Sequence, residues 1–312
     1  MMGRVTQGTI TSQLLRNINK NLSQSAGLQE KLSTGRNINR PSDDPVGITY
    51  ALRYRSDLSI NERFQSNVDS ATSWLSFNDT MLSQVTDVLQ RVKDLAVQGS
   101  NDTNPDVALN NIADEITQLK EQLVDIANSQ FKGKYVFNGQ FTDKLPYDPS
   151  GTAENVLTDT GKIDYIVNTG VQLTVNLSGN AVFGFPPASS GVAVAPPNSN
   201  EDDNVFHVLD QMITSLRSAN TTGVSAQLGP LESRLNKVLT QRAEVGARIN
   251  RVELMEARLK DLNLNLETLQ SKTEDADLED LIIRSKVNEN VYQASLSVGS
   301  KIIQPTLVDF LR

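Results

Sequence analysis

"KLSTGRNINRPSDDPVG", Lys31 to Gly47, separates two stretches with helical spacing. A leucine-spaced segment ends on Ser33-Thr34-Gly35. Arg36, Asn37, Asn39 and Arg40 follow, then an Asp pair bracketed by prolines, Pro41-Ser42-Asp43-Asp44-Pro45. Two readings compete. In an active-site loop the carboxylates of Asp43 and Asp44 carry the chemistry. In an architectural joint Pro41, Pro45 and Gly47 matter most, because proline fixes φ and sets the direction of the chain. Adjacent carboxylates usually point apart, and Pro45 suits the first turn of a helix, which makes Asp44 or Ser42 its N-cap. The joint is the preferred reading.

Glycine and proline then mark out the rest of the chain. Ile48–Gln98 holds neither over 51 residues, and Ala247–Val298 holds neither over 52. Between Gly133 and Pro230 lie ten of the 18 Gly and seven of the 11 Pro. The chain therefore reads as helical at both ends and turn-rich in the middle. The first helix has an apolar stripe at Leu15, Ile18, Leu22 and Leu32, flanked by Leu14 and Leu28 and diluted by Ser25 and Gln29. A helix so poor in apolar surface needs partners. The run from Leu228 to Leu269 repeats its apolar residues over several heptads, a coiled-coil-like signal. The acidic patch Ser271–Leu278 interrupts it, and a last helix follows through Leu281, Ile282, Val287, Val291, Leu296, Ile302 and Ile303. In the middle, Tyr135-Val-Phe137 before Asn138-Gly139 reads as a hairpin, and Ile163–Val167 and Val171–Leu177 read as strands across Thr169-Gly170. The fold class predicted is mainly α: an elongated antiparallel long-helix bundle with a small β-rich insertion, the chain folding back so that its terminal helices lie side by side.

Composition narrows the function. Only 38% of the 312 residues are hydrophobic and 5% aromatic, thin for a large enzyme core but sufficient for helices packed along narrow stripes. Without cysteine there are no disulfides, thiolate metal sites or cysteine nucleophiles, and one histidine excludes any site needing two imidazoles. The net charge of −8 opposes nucleic-acid binding, although residues 1–40 carry six Lys or Arg against one Glu, read as ordinary helix-surface charge. No apolar run is long enough for a transmembrane helix, and MMGRVTQGTITSQLL lacks the apolar region of a cleaved secretory signal. His207 reads as an ordinary helical residue. Glu274, Asp275 and Asp277 form either a weak cation site or a solvated break with a new N-cap, the second being preferred. Glu201-Asp202-Asp203 reads as acids favoured by a helix dipole. No phosphate-loop, zincin or nucleophile-elbow pattern occurs. No catalytic, cofactor-binding or metal residue is therefore assigned, and the chain is not expected to be an enzyme.

Four segments carry a resemblance. Lys31–Gly47 resembles the signature that follows the first helix of bacterial flagellin-like proteins, and Asp87–Thr103 ("DVLQRVKDLAVQGSNDT") resembles their next helix and its ending turn. Gly133–Tyr147 ("GKYVFNGQFTDKLPY") and Tyr292–Leu311 ("YQASLSVGSKIIQPTLVDFL") are similar to the hook–filament junction members of that family. Flagellin itself usually has Ala where Pro41 and Pro45 stand. The resemblance implies a structural protein of the bacterial flagellum, secreted by the type III export route and extracellular, forming the junction ring on which flagellin polymerises. The implied partners are further copies of itself in a ring, the other hook-associated junction protein, flagellin, and a cytoplasmic export chaperone at the C-terminal helix, with neither nucleic acid nor membrane. The alternatives are flagellin and, from another class, a soluble coiled-coil adaptor. The implied division is an inner-core helix over 1–34, a spoke loop over 35–47, the first half of a helical domain over 48–132 and a β-rich insertion over 133–200. The second half of the helical domain then covers 201–270, a break 271–278 and the C-terminal inner-core helix 279–312. Pro41, Ser42, Asp43, Asp44, Pro45 and Gly47 form the spoke. Leu15, Ile18, Leu22, Leu32, Leu281, Ile282, Val287, Val291, Leu296, Ile302 and Ile303 form the expected assembly and chaperone face.

Overall fold

The computed structural model describes residues 7–148, 152–194 and 198–303. The chain is mainly α. Its helices are α1 (Gln7–Thr34), α2 (Pro45–Gly99), α3 (Asp106–Ala127), a short α4 (Gly179–Phe183), α5 (Val205–Arg217), α6 (Thr221–Glu274) and α7 (Leu278–Ile303). Contacts divide it into two units, one of residues up to Ile60 together with those from Asp261, the other Asn61–Lys260.

The second unit is built on heptads. Val68, Leu75, Leu82 and Leu89 recur every seven residues on α2, as do Leu231, Val238, Val245, Val252 and Leu259 on α6, and all are buried. A seven-residue apolar repeat keeps one seam of a helix turned to its partner. Polar bonds fix the antiparallel order: Asn61 Nδ2 donates to Leu259 O at 3.0 Å, Arg242 Nε to Asp79 at 3.0 Å and Lys93 Nζ to Glu232 at 3.1 Å. Helices α3 and α5 pack together and complete this core with Leu109, Ile116, Leu123, Leu209 and Met212.

Two hairpins serve the turn-rich middle. Strand β1 (Gln130–Phe131) pairs antiparallel with β2 (Lys134–Tyr135), Gln130 opposite Tyr135. The reversal falls at Lys132-Gly133, not at the Asn138-Gly139 read from the sequence. Lys132 (φ 51°) and Gly133 (φ 78°) supply the two positive φ angles that a tight two-residue turn needs. Asn138 is engaged otherwise: it bridges to Ser178, and its Nδ2 donates to Lys144 O at 3.1 Å. Strands β3 (Asp164–Asn168) and β4 (Val171–Thr174) form the second hairpin across Thr169-Gly170, with an irregularity between Ile166 and Asn168. Phe137, Tyr147, Phe183 and Phe206 stack with ring centroids 5.2–5.6 Å apart and tie the segment after β2 to α4 and α5. Asn128 binds both backbone groups of Tyr147, at 2.6 and 3.0 Å.

The acids Glu201 and Asp203 do not serve the dipole of α5. Asn204 caps that helix, accepting from Phe206 N and His207 N. Glu201 and Asp203 instead hold Arg234, a side chain almost wholly buried on α6, whose Nε donates to Asp203 O at 2.9 Å. Lys237 joins both carboxylates. Burial by itself would raise the Asp203 carboxyl. The Ser233 hydroxyl bond and the charges of Arg234 and Lys237 outweigh it, so Asp203 sits below its ordinary range. The same balance lowers Glu201.

Because both folded-state values are depressed, their contribution to stability is complete above about pH 4 and is lost as pH falls through the folded values. Thermal unfolding followed by circular dichroism should therefore show a midpoint that drops below that pH. Asp203→Asn, which takes one of the two carboxylates from a buried guanidinium, should cost roughly 3 kcal/mol at neutral pH and flatten the acid branch. A variant as stable as the parent at pH 7 would show that Arg234 does not depend on this carboxylate.

Candidate functional site

The first unit contains the joint and both terminal helices. Helix α1 stops at Thr34 because Gly35 adopts φ 69°, with its N–H still bonded to Lys31 O at 2.9 Å. The connector then runs beside the break between α6 and α7. Asn37 N donates to Glu274 O at 2.6 Å, Ala276 N donates to Gly35 O at 3.0 Å, and Arg36 lies opposite Asp275 in an antiparallel bridge. Two connectors far apart in sequence thus satisfy each other's backbone groups.

Glu274 anchors this crossing. It is 1% exposed. Arg55 on α2 grips it with two guanidinium nitrogens, Nε at 2.7 Å from Oε1 and Nη2 on Oε2. Arg36 Nε adds a longer contact at 3.6 Å. The hydrogen bonds that Arg55 donates to Glu274 raise its pKa above the ordinary value despite some desolvation. Glu274 is therefore neither a cation ligand nor part of a solvated break, as the acidic patch had suggested: its charge is neutralised by arginines and shielded from water. Asp277, at the end of the same patch, caps α7 by accepting from Glu279 N and Asp280 N at 3.0 and 3.1 Å. Among the described residues no group of three His, Asp or Glu side chains is placed to hold a metal ion. His207 is half-buried and contacts Glu154 through Nδ1 at 2.7 Å.

Each spoke residue has a definite place. Asp44 Oδ1 accepts from Val46 N and Gly47 N, both at 3.0 Å, and is the N-cap of α2. Asp43 Oδ2 accepts from Arg40 N at 2.9 Å and Asn39 N at 3.0 Å, and these backbone bonds hold its carboxyl below the usual range. The two acids serve separate backbone turns and do not form a carboxylate pair. Gly47 allows close packing: a Cβ there would lie 2.5 Å from Asp44 Oδ2 and 2.6 Å from Cδ1 of the buried Ile38. Pro41, Ser42 and Pro45 are exposed, so the prolines act through backbone restriction, and Ser42 is not the cap. Arg40 closes the loop back onto α1 with two bonds to Glu30, at 2.9 and 3.1 Å.

Sequence reasoning missed Arg55, Glu274 and Ile38. Arg55 had a usable signal: it falls between Ala51 and Leu58 on the buried face of α2, where an arginine calls for an acid. Nothing local distinguishes Glu274 from its acidic neighbours.

The terminal helices α1 and α7 pack side by side. Their contact face coincides only in part with the apolar stripe expected from spacing. On α1 the half-buried positions include Leu14, Ile18, Asn21, Ser25, Leu28 and Leu32; on α7 they are Ser285, Asn288, Tyr292 and Ser295, between the buried Leu281 and Gly299. Of the expected face, Leu281 is buried and Ile18 and Leu32 are half-buried. Leu15, Leu22, Ile282, Val287, Val291 and Leu296 stand exposed. The Ile302 and Ile303 side chains lie outside the described residues. An open groove of about 780 Å³ follows the seam, lined by Leu28, Lys31, Asp275, Leu281, Ile283 and Val287 among others.

The profile of the bacterial flagellin N-terminal helical region matches residues 5–142, and that of the flagellin C-terminal helical region matches residues 228–311. Flagellar hook-associated protein 3 of Escherichia coli is 28% identical over 284 residues, covering 85% of this chain and 86% of the relative. Flagellin of Bacillus subtilis is 28% identical over 299 residues, covering 94% and 93%. The crystal structure of the flagellar junction protein FlgL from Legionella pneumophila superposes with a TM-score of 0.57 at 19% identity, covering 72% of this chain and all of that one, a likeness of fold.

The joint makes a direct prediction. Glu274→Gln should weaken the crossing by about 2 kcal/mol, because two arginines then face a neutral amide. Hydrogen exchange at the Asn37 and Ala276 amides should speed up roughly 30-fold. Glu30→Gln, which breaks an exposed pair, should change it by less than about fivefold. Equal effects would show that Glu274 does not hold the connectors together.

Proposed function

This chain belongs to the bacterial flagellin family, and we propose that within it the chain is a hook-associated junction protein, the structural subunit between hook and filament on which flagellin polymerises. One observation carries the reading. The terminal helices pair through a seam to which α7 contributes mainly Ser285, Asn288, Tyr292 and Ser295, and they leave Leu15, Leu22, Ile282, Val287, Val291 and Leu296 exposed. Soluble monomers rarely expose so many aligned apolar side chains; assembling subunits bury them in neighbours. The assembly is a ring of copies of this chain between the other hook-associated junction protein and the first flagellin subunits. Pro41, Pro45 and the Gly133–Tyr147 segment favour the junction protein over flagellin, since identity to relatives of the two names is equal.

The same exposed residues need a cover before assembly. We assign it to a cytoplasmic export chaperone that takes α7 as an amphipathic helix in a groove, releasing the chain for type III export to the cell exterior. Among the described residues no helix is long and apolar enough to cross a membrane.

Deletion of the gene should leave hooks without filaments and flagellin shed into the medium. If the chain were flagellin, no flagellin would be shed. Leu296→Asp should weaken chaperone binding at least tenfold and prevent filament attachment, since an unpaired charge would be buried in both complexes. Glu289→Gln, an exposed polar exchange, should alter neither. Calorimetry of the chaperone with the full chain and with a chain ending at residue 277 locates the site: equal affinities would remove α7 from the chaperone interface.

A further inference from the structure

Helix α7 presents three different longitudinal faces. One carries Ile283, Val287, Val291 and Val298, another Leu278, Ile282 and Leu296, and all of these are exposed. The third, turned to α1, carries Ser285, Asn288, Tyr292, Ser295 and Gly299 behind Leu281. The hydrophobic effect alone would choose an apolar face, because burial of apolar surface is favourable whatever its orientation. The face actually buried within the chain is more polar than either of these two apolar faces. Something directional has selected it.

We infer that Asn21 and Asn288, with Ser25 and Ser295, are the specificity determinant that sets the rotation and register of α7 on α1. The Asn288 side chain donates from Nδ2 to Asn21 O at 3.2 Å and to Ser25 Oγ at 3.1 Å. Asn21 Nδ2 reaches Ser295 Oγ at 3.5 Å, at the limit of a hydrogen bond. Sliding α7 by one heptad would set Asn288 against Ile18 or Leu32, where no side chain accepts its protons. An amide left unpaired in a partly buried seam is costly, and a single buried asparagine is known to fix register in helix pairs at some expense of stability. Packing acts in the same direction. A Cβ added at Gly299 would lie 3.0 Å from Leu14 Cδ2, so Gly299 provides the space that Leu14 occupies. A heptad slip would bring Tyr292 there instead. The polar layer therefore keeps α1 off the apolar faces of α7. That those faces then serve neighbouring copies rests on the proposed function; the register rule does not.

The chain contains no cysteine, so cysteine pairs report the register cleanly. Leu14→Cys with Gly299→Cys reports the native register, and Leu14→Cys with Tyr292→Cys reports a slip of one heptad. The measurement is the ratio of native to slipped disulfide yield, taken on dilute full-length chain under mild oxidation. With the native asparagines the native pair should dominate by at least tenfold. Adding Asn21→Leu and Asn288→Leu should lower the ratio at least tenfold while helix content is retained. Glu289→Leu, which adds the same apolar group outside the seam, should leave it unchanged. An unchanged ratio in the double variant, an equal fall with Glu289→Leu, or no native preference in the parent would each overturn the inference. Filament growth is read separately, so failure of the junction assignment would leave the disulfide ratio unaffected.

Discussion

A single buried carboxylate organises the first unit. Glu274 ends α6, and its backbone oxygen receives Asn37 while its side chain receives Arg55. The charge cannot stay in a dry position without its arginines, and Arg55 reaches it only if the start of α2 lies beside the end of α6. The Asp44 cap starts α2 and the Asp277 cap starts α7 on either side of this contact. Four local decisions, two helix ends and two helix starts, thus meet at one ion pair. Its energetic value over a hydrophobic alternative is small. Its geometric value is large, because a bidentate arginine–carboxylate contact fixes direction as well as distance.

The two units solve the burial problem differently. In Asn61–Lys260 the heptads of α2 and α6 are closed by α3 and α5, and the core residues lie at or near zero exposure. Among the described residues no such layer covers the paired terminal helices. Among the described residues the buried apolar side chains of this unit are Ile38 in the connector, Ala51 and Leu58 on α2, and Leu281 on α7. A chain that completes one core and leaves apolar side chains of its other unit exposed fits the proposed assembly, in which neighbouring molecules would supply the missing layer.

Much of this was legible in the sequence because it is periodic or positional. The mainly α class follows from two long segments free of glycine and proline. The joint follows from Pro-bracketed acids before a helical run, and the choice of Asp44 or Ser42 as the cap from Pro45. What could not be read is non-local. The expected stripe of Leu15, Ile18, Leu22 and Leu32 is a sound count of apolar residues, yet it does not say which face a partner uses. Glu274 looked solvated because its neighbours are acidic; Arg55, 219 positions away, makes it a core residue. The acids Glu201 and Asp203 looked like dipole partners for the same reason, their true partner Arg234 lying on another helix. The hairpin was misplaced by local chemistry: Asn-Gly is the commoner turn, but Lys132-Gly133 takes the required angles because Asn138 has contacts elsewhere.

In the proposed assembly, the hydrogen-bonded seam meets a conflict inherent in any subunit that must pack with copies of itself. Apolar surface does not distinguish a partner helix in the same chain from one in another, and the intrachain encounter always has the higher effective concentration. If α1 offered its best apolar stripe to the best stripe of α7, the chain would satisfy itself and have little left for assembly. Hydrogen-bonding side chains avoid this outcome, because they are satisfied in one register and penalised in the others. On the inferred register rule, Asn21, Ser25, Asn288 and Ser295 make the intrachain contact specific, and Leu15, Leu22, Ile282, Val287, Val291 and Leu296 stay exposed within the chain.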